Sequence, residues 1–257
     1  MKKTILFFIS LVTISTIIVI SCKKSEVIKE TNLIQTKFND FEKVTKLHSK
    51  TLSIVFEDLK AKKLLTKSNK VVFAPTEIDE ITLNSLNKIL VEDQLIKEFE
   101  KKYKISSQVL TKSGVEGTNE ALYLMLEDSF TSVSQMSNVD SLRSEFISIL
   151  SEPNLASTFT TDEQNLIFFS FACYIDSFEY WGENLDEWEE IIGNNMPMSP
   201  AEREMYRSSS QNKYAQADAM GGVVGVGGSF FAKLSPWSLL SSWIYSAVTS
   251  SVLTATN

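Results

Sequence analysis

Apolar positions recur at helical spacing along most of this chain. Ile34, Phe38, Phe41, Val44, Leu47, Leu52, Val55, Phe56 and Leu59 recur mostly at three- and four-residue spacing. With no Gly or Pro among them, they form one face of a long amphipathic helix. The pattern fades after Leu65 into a polar loop, Thr66 to Lys70. Val71 to Ala74 reads as a short extended piece before Pro75. Thr76 with Asp79 reads as a helix start, a hydroxyl capping the first free N–H groups. Ile78, Ile81, Leu86, Ile89 and Leu90 give that helix its apolar face, and Leu95, Ile96, Phe99 and Tyr103 continue it after a bend near Glu92.

Residues 105–117 read as a polar link ending in Gly114 and Gly117. Helices are expected over 118–134, with Ala121, Leu122, Met125, Leu126 and Phe130 on one side, and over 140–150, stopping before Pro153. Thr161 with Gln164 reads as a capping box opening the most apolar helix, 162–181, the expected centre of the core. Gly182 is expected to end it, with a short acidic helix through Trp188 up to Gly193. Ser199-Pro200-Ala201-Glu202 is the clearest helix start: Ser caps, Pro takes the first helical position and Glu reaches back. That helix should run to about Asp218. With no repeat and no strand-rich stretch, the expected class is all-α, an irregular helical bundle.

The two ends depart from this pattern. Lys2 and Lys3 precede an uncharged apolar stretch from Ile5 to Ile20, and Ser21 stands before Cys22. Charge, apolar core and small residue in that order make a secretory signal peptide, too short for the roughly 20 apolar residues of a spanning helix. With the cysteine in place, Val19-Ile20-Ser21-Cys22 resembles the lipobox of bacterial lipoproteins. That resemblance implies a diacylglycerol on the Cys22 thiol, cleavage before it, and acylation of the new amino group. Several lipid chains hold a protein on a membrane stably. The expected organisation is a signal peptide over 1–21, a lipidated tether over 22–32, a helical domain over 33–218, and an apolar Gly/Ser-rich helical hairpin over 219–257.

That hairpin segment carries a single charge, Lys233, and Gly at 221, 222, 225, 227 and 228. Ser238, Ser242, Ser246 and Ser250 recur every fourth residue. On helices, Gly221 and Gly225 with these serines form a small-residue stripe that lets backbones approach closely. Packing on the domain is the expected role. Entering a membrane or joining copies of the chain is the alternative, and partial disorder of a Gly/Ser-rich stretch a third.

Charge divides the chain. Residues 22–104 hold 17 Lys and no Arg against 13 acidic residues, whereas 105–257 hold 6 basic and 19 acidic residues. An acidic balance excludes nucleic acid, which needs a basic surface. Lysines near a lipid anchor can meet anionic headgroups, although ordinary solvated faces explain them equally.

Candidate chemistry is sparse. His48 is the only histidine, which removes sites needing two imidazoles, and no calcium loop of the EF-hand type occurs. No metal and no cofactor beyond the covalent lipid on Cys22 is expected. His48, beside Leu47 and Leu52, reads as structural or half-exposed. Cys173, in an apolar run, reads as a small buried hydrophobe. Ser85-Leu86-Asn87-Lys88, Lys112-Ser113-Gly114 and Ser210-Gln211-Asn212 mimic elements of penicillin-binding enzymes but stand in the wrong order. The best constellation is Glu179, Trp181, Glu183, Asp186, Glu187, Trp188 and Glu190, with Glu189 among them. Carboxylates beside indoles suit a basic partner, or the paired acids of a glycosidase; an acidic helix with buried aromatics is the plainer alternative.

Leu47-His48-Ser49-Lys50, Tyr174 to Trp181 and the Gly-rich tail together are similar to a loosely defined group of uncharacterised bacterial lipoproteins. That similarity implies no activity and no catalytic residue. The expected function is a lipid-anchored, non-enzymatic binding or structural module of the bacterial cell envelope. A basic or envelope-protein partner would meet the 179–190 face. The alternatives are a membrane-active or oligomerising protein working through residues 219–254, and a hydrolase using the 179–190 carboxylates. Lys23 and Lys24 after the lipid cysteine favour the outer membrane and its periplasmic face by analogy with other lipoproteins.

Overall fold

The computed structural model describes the backbone of residues 2–66, 73–90, 94–103, 120–192, 198–227 and 239–256. Side chains are described for 31–63, 73–89, 94–99, 101–103, 120–191, 198–223 and 244–255. Among the described residues there are nine helices and no strand: α1 Lys2–Thr66, α2 Pro75–Leu90, α3 Gln94–Tyr103, α4 Glu120–Val133, α5 Val139–Leu150, α6 Pro153–Thr158, α7 Thr161–Ile192, α8 Pro200–Gly227 and α9 Leu239–Thr256. The fold is all-α.

α7 is the axis of the bundle. It packs against α1, α4, α5, α6 and α8, while α9 lies along α8 and also meets α1 and α2. The α1 stripe from Phe38 to Leu59 is buried against it. Aromatic rings fill the contacts. Phe41 of α1 meets Phe168 and Phe169 of α7 and Phe99 of α3 at 5.3, 4.7 and 4.8 Å between centroids. Phe146 of α5 stacks on Phe171 at 4.3 Å, and Phe130 of α4 on Tyr174 at 5.0 Å. Stacked and edge-on pairs of this kind add to the stabilisation that area burial gives.

Local signals and observed boundaries differ in several places. α2 starts at Pro75, with Ala74 O accepting from the N–H groups of Glu77 and Ile78 at 2.9 and 3.1 Å. Pro fits the first position because its missing N–H has no partner there anyway, so Thr76 lies inside the helix. Pro153 follows α5 and also opens α6. The box at the start of α7 is made one residue early: Thr160 N and Oγ1 both donate to Glu163 Oε2 at 2.8 Å. Glu163 N donates back to Thr160 Oγ1 at 3.3 Å. α7 then runs unbroken through Gly182 to Ile192. A Cβ at Gly182 would lie 2.4 Å from Gln211 Nε2, so the glycine serves close approach of α8 instead of a helix end.

The start of α8 matches the reading of Ser199-Pro200-Ala201-Glu202. Ser199 N and Oγ donate to Glu202 Oε2 at 2.8 and 2.6 Å, and Glu202 N donates to Ser199 Oγ at 3.4 Å. α8 continues beyond Asp218 to Gly227. Its glycines cost helix propensity, which the packing of α9 offsets. At Gly221 a Cβ would stand 2.3 Å from Ser250 Cβ and 3.1 Å from Ser246 O. Ile244, Ala247, Val248 and Val252 of α9 are buried beside that seam.

Residues 2–30, which hold the expected signal peptide from Lys2 onward, Cys22 and most of the tether, are described by backbone alone, and it continues α1 as helix. Gly225 and Ser242 are likewise described by backbone alone, and Ser238 lies outside the described residues. Among the described residues no helix is long and apolar enough to cross a membrane.

Candidate functional site

Three charged side chains meet in the core where α1, α7 and α8 converge. His48 and Asp218 are 0% exposed and Asp176 is 2% exposed. His48 Nδ1 lies 3.2 Å from Asp176 Oδ2, and Nε2 lies 3.2 Å from Asp218 Oδ1. The second contact is an ion pair by distance and is not aligned as a hydrogen bond. A neutral imidazole would turn a lone pair toward one of the carboxylates, whereas an imidazolium presents N–H to both. Burial pulls the His48 pKa down, but Asp218 and Asp176 outweigh it and lift the group to about 9. His48 therefore carries its proton at neutral pH.

Each carboxylate has further partners. Asp176 accepts from Ser49 N at 3.1 Å and Ser49 Oγ at 3.1 Å. Lys46 Nζ approaches its other side at 3.1 Å and reaches Glu179 Oε2 at 2.6 Å. Asp218 accepts from Ser177 Oγ, and from Trp181 Nε1 at 3.1 Å. The charges of Lys46 and His48 balance those of Asp176 and Asp218, which is what makes such a cluster tolerable away from water. Next to it, Cys173 is free and buried, and burial together with the two aspartates holds its thiol well above the usual range. It is a poor nucleophile there.

Sequence position makes the cluster local to each helix. His48 sits on the buried α1 face with Thr45 and Thr51. Asp176 interrupts the apolar run of α7, and Asp218 falls between Ala215 and Ala219 on α8, both buried. The expected half-exposed alternative for His48 is thus corrected: both ring nitrogens face carboxylates in the interior. A carboxylate inside an apolar helical run is itself a signal of a buried partner, and Asp176 and Asp218 both carried it.

The residues expected to form an acidic face divide between core and surface. Trp181 and Trp188 are fully buried, their centroids 5.2 Å apart. Trp181 packs on Tyr214 at 4.6 Å, and Trp188 on Phe56 at 5.2 Å while donating to Tyr180 Oη at 3.0 Å. The indoles therefore do not share a surface with the carboxylates, and a stacked sugar ring has no platform here. Glu179 is half-buried and paired with Lys46. Asp186 pairs with Arg203 at 2.7 Å and Arg207 at 3.5 Å, and buried Glu189 with Arg203 at 3.0 Å. Glu183, Glu187 and Glu190 are exposed.

The open surface beside α8 is polar. One groove of about 550 Å³ is lined by Ser137, Arg203, Glu204, Arg207, Ser208 and Gln211 among others. A second, of about 890 Å³, shares Ser137, Glu204 and Ser208 and reaches Met205, Asn212 and Lys213. Neither reaches the His48 cluster. Among the described residues no group of three His, Cys, Asp or Glu side chains could hold a metal ion. Compared with protein-family models, curated proteins and solved structures, the chain matches none of them.

Proposed function

We propose that this chain is a lipid-anchored protein of the bacterial cell envelope whose helical body serves as a binding or structural module without catalysis. The observation that carries the reading is the order of Lys2 and Lys3, the uncharged stretch Ile5–Ile20, Ser21 and Cys22. The body supports a non-catalytic role. The His48, Asp176 and Asp218 side chains are buried, whereas general acid–base chemistry needs hydrogen-bond reach to a substrate. α9 uses its apolar residues against α8, α2 and α1, which supports a packing role over a membrane one. The exposed Glu183, Glu187 and Glu190 on α7 offer a basic partner a surface. Lys23 and Lys24 favour the periplasmic face of the outer membrane.

Metabolic labelling with an alkyne fatty acid tests the anchor. Wild-type chain should take up label and shorten by its signal peptide, and Cys22→Ser should do neither. An unlabelled wild type, or a labelled Cys22→Ser, would remove the lipid anchor and the envelope assignment that rests on it.

A further inference from the structure

The His48 cluster does more than fill space, because of what it joins. α1 packs along α7, and α8 packs along α7 and α9, while among the described residues α1 and α8 meet little along their lengths. His48 bridges that gap, touching Asp176 of α7 and Asp218 of α8 with its two ring nitrogens. Gly221 and the seam to α9 begin three residues beyond Asp218. The His48–Asp218 contact therefore joins α8 to α1, whereas α9 meets α1 directly.

We propose that His48, Asp176 and Asp218 form a proton-operated lock, closed while His48 is an imidazolium and opened in alkali, when its loss of charge frees the Asp218 end of α8 from α1.

The surroundings set the direction of the switch. From α1, Lys46 faces the cluster through Asp176. From α7 come Asp176 itself, the un-ionised Cys173 thiol and Glu179 behind Lys46. From α8 comes Asp218. Ser49, Ser177 and Trp181 all donate to the two carboxylates. With His48 neutral, one aspartate loses its only cationic partner in a buried site. Asp218 is that one, because Asp176 keeps Lys46. An uncompensated buried carboxylate then seeks water, and the end of α8 that carries it is the part free to move. Because the folded pKa is raised to about 9, above the roughly 6.5 of a free histidine, the lock contributes fully below about pH 6.5. Its contribution declines as pH rises and is gone above about 9.

A single histidine makes the test direct, since the ring gives one NMR signal. The whole chain, in detergent micelles, is titrated from pH 5 to 11 while that signal is followed. Amide protection factors, corrected for base-catalysed intrinsic exchange, are measured in parallel. The expected result is a His48 midpoint near 9 and an at least tenfold loss of protection in α8 around and beyond Asp218 over the same interval, with α4 and α5 unchanged. Asp218→Asn should move the midpoint down by a unit or more. A wild-type midpoint near 6.5 would overturn the lock, as would protection lost equally across all helices or not lost in α8 beyond Asp218. The wild-type titration decides the matter even where Asp218→Asn fails to fold.

Discussion

α8 is fastened on its two sides by opposite means. Toward α1 and α7 it presents Asp218 to a buried imidazolium. Toward α9 it presents Gly221, whose missing side chain lets Ser246 and Ser250 come against the backbone. The first joint depends on charge and is sensitive to protons. The second depends on shape and is sensitive to volume. A charged joint gives little net stability but fails badly when one partner is lost. A close-packed joint tolerates polar change better than added bulk.

The two joints can be broken separately. Removing one charge is the harshest test: Asp218→Ala leaves His48 with one partner fewer and should destabilise by about 3–5 kcal/mol. Chemical denaturation would read this as a drop in midpoint with little change in slope. A loss below about 1 kcal/mol would mean that the cluster is not energetically coupled. Bulk at the other joint comes next. Gly221→Val must displace Ser250 or the α9 backbone at Ser246, and overpacking of this kind costs about 1–3 kcal/mol. Its effect should not vary with pH, whereas that of Asp218→Ala should shrink above pH 9, where wild type has lost the same interaction.

A milder case is Gly182→Ala. The atom in its way is the end of the Gln211 side chain, which can swing aside at the loss of its 2.6 Å bond to Phe178 O. About 1 kcal/mol is expected, the typical worth of such a bond, and a thermal melt would resolve it. Ser199→Ala removes the cap of α8 and should cost a similar ~1 kcal/mol, visible as fraying of residues 200–204 by amide exchange. The smallest effect belongs to Glu183→Gln with Glu187→Gln. Both side chains are exposed, and the double variant should stay within about 0.5 kcal/mol of wild type. Such a pair separates loss of a partner surface from loss of fold.

Much of the helical framework is readable from residues a few positions apart. Ser199, Pro200 and Glu202 specify the start of α8 among themselves, because capping satisfies N–H groups within one turn. The α1 stripe is readable for the same reason: spacing fixes which residues share a face. The boundary at Gly182 is not readable, because the reason for that glycine is Gln211 on another helix. The indoles show the same gap. Trp181 and Trp188 stand beside carboxylates along the chain, yet successive helix positions turn by about 100° and so face different ways. The rings go inward and Glu183, Glu187 and Glu190 outward.

From sequence alone come the all-α class, the buried faces and the composition of the N-terminal segment, since each depends on local spacing or order. Tertiary structure alone decides that His48, Asp176 and Asp218 meet. Asp176 stands 128 residues from His48, and no periodicity reaches across that interval. A lone histidine on an apolar face reads as inert until the fold brings a carboxylate to each nitrogen. Its proton is then held by electrostatics in a buried site, and that environment exists only after the three helices have packed.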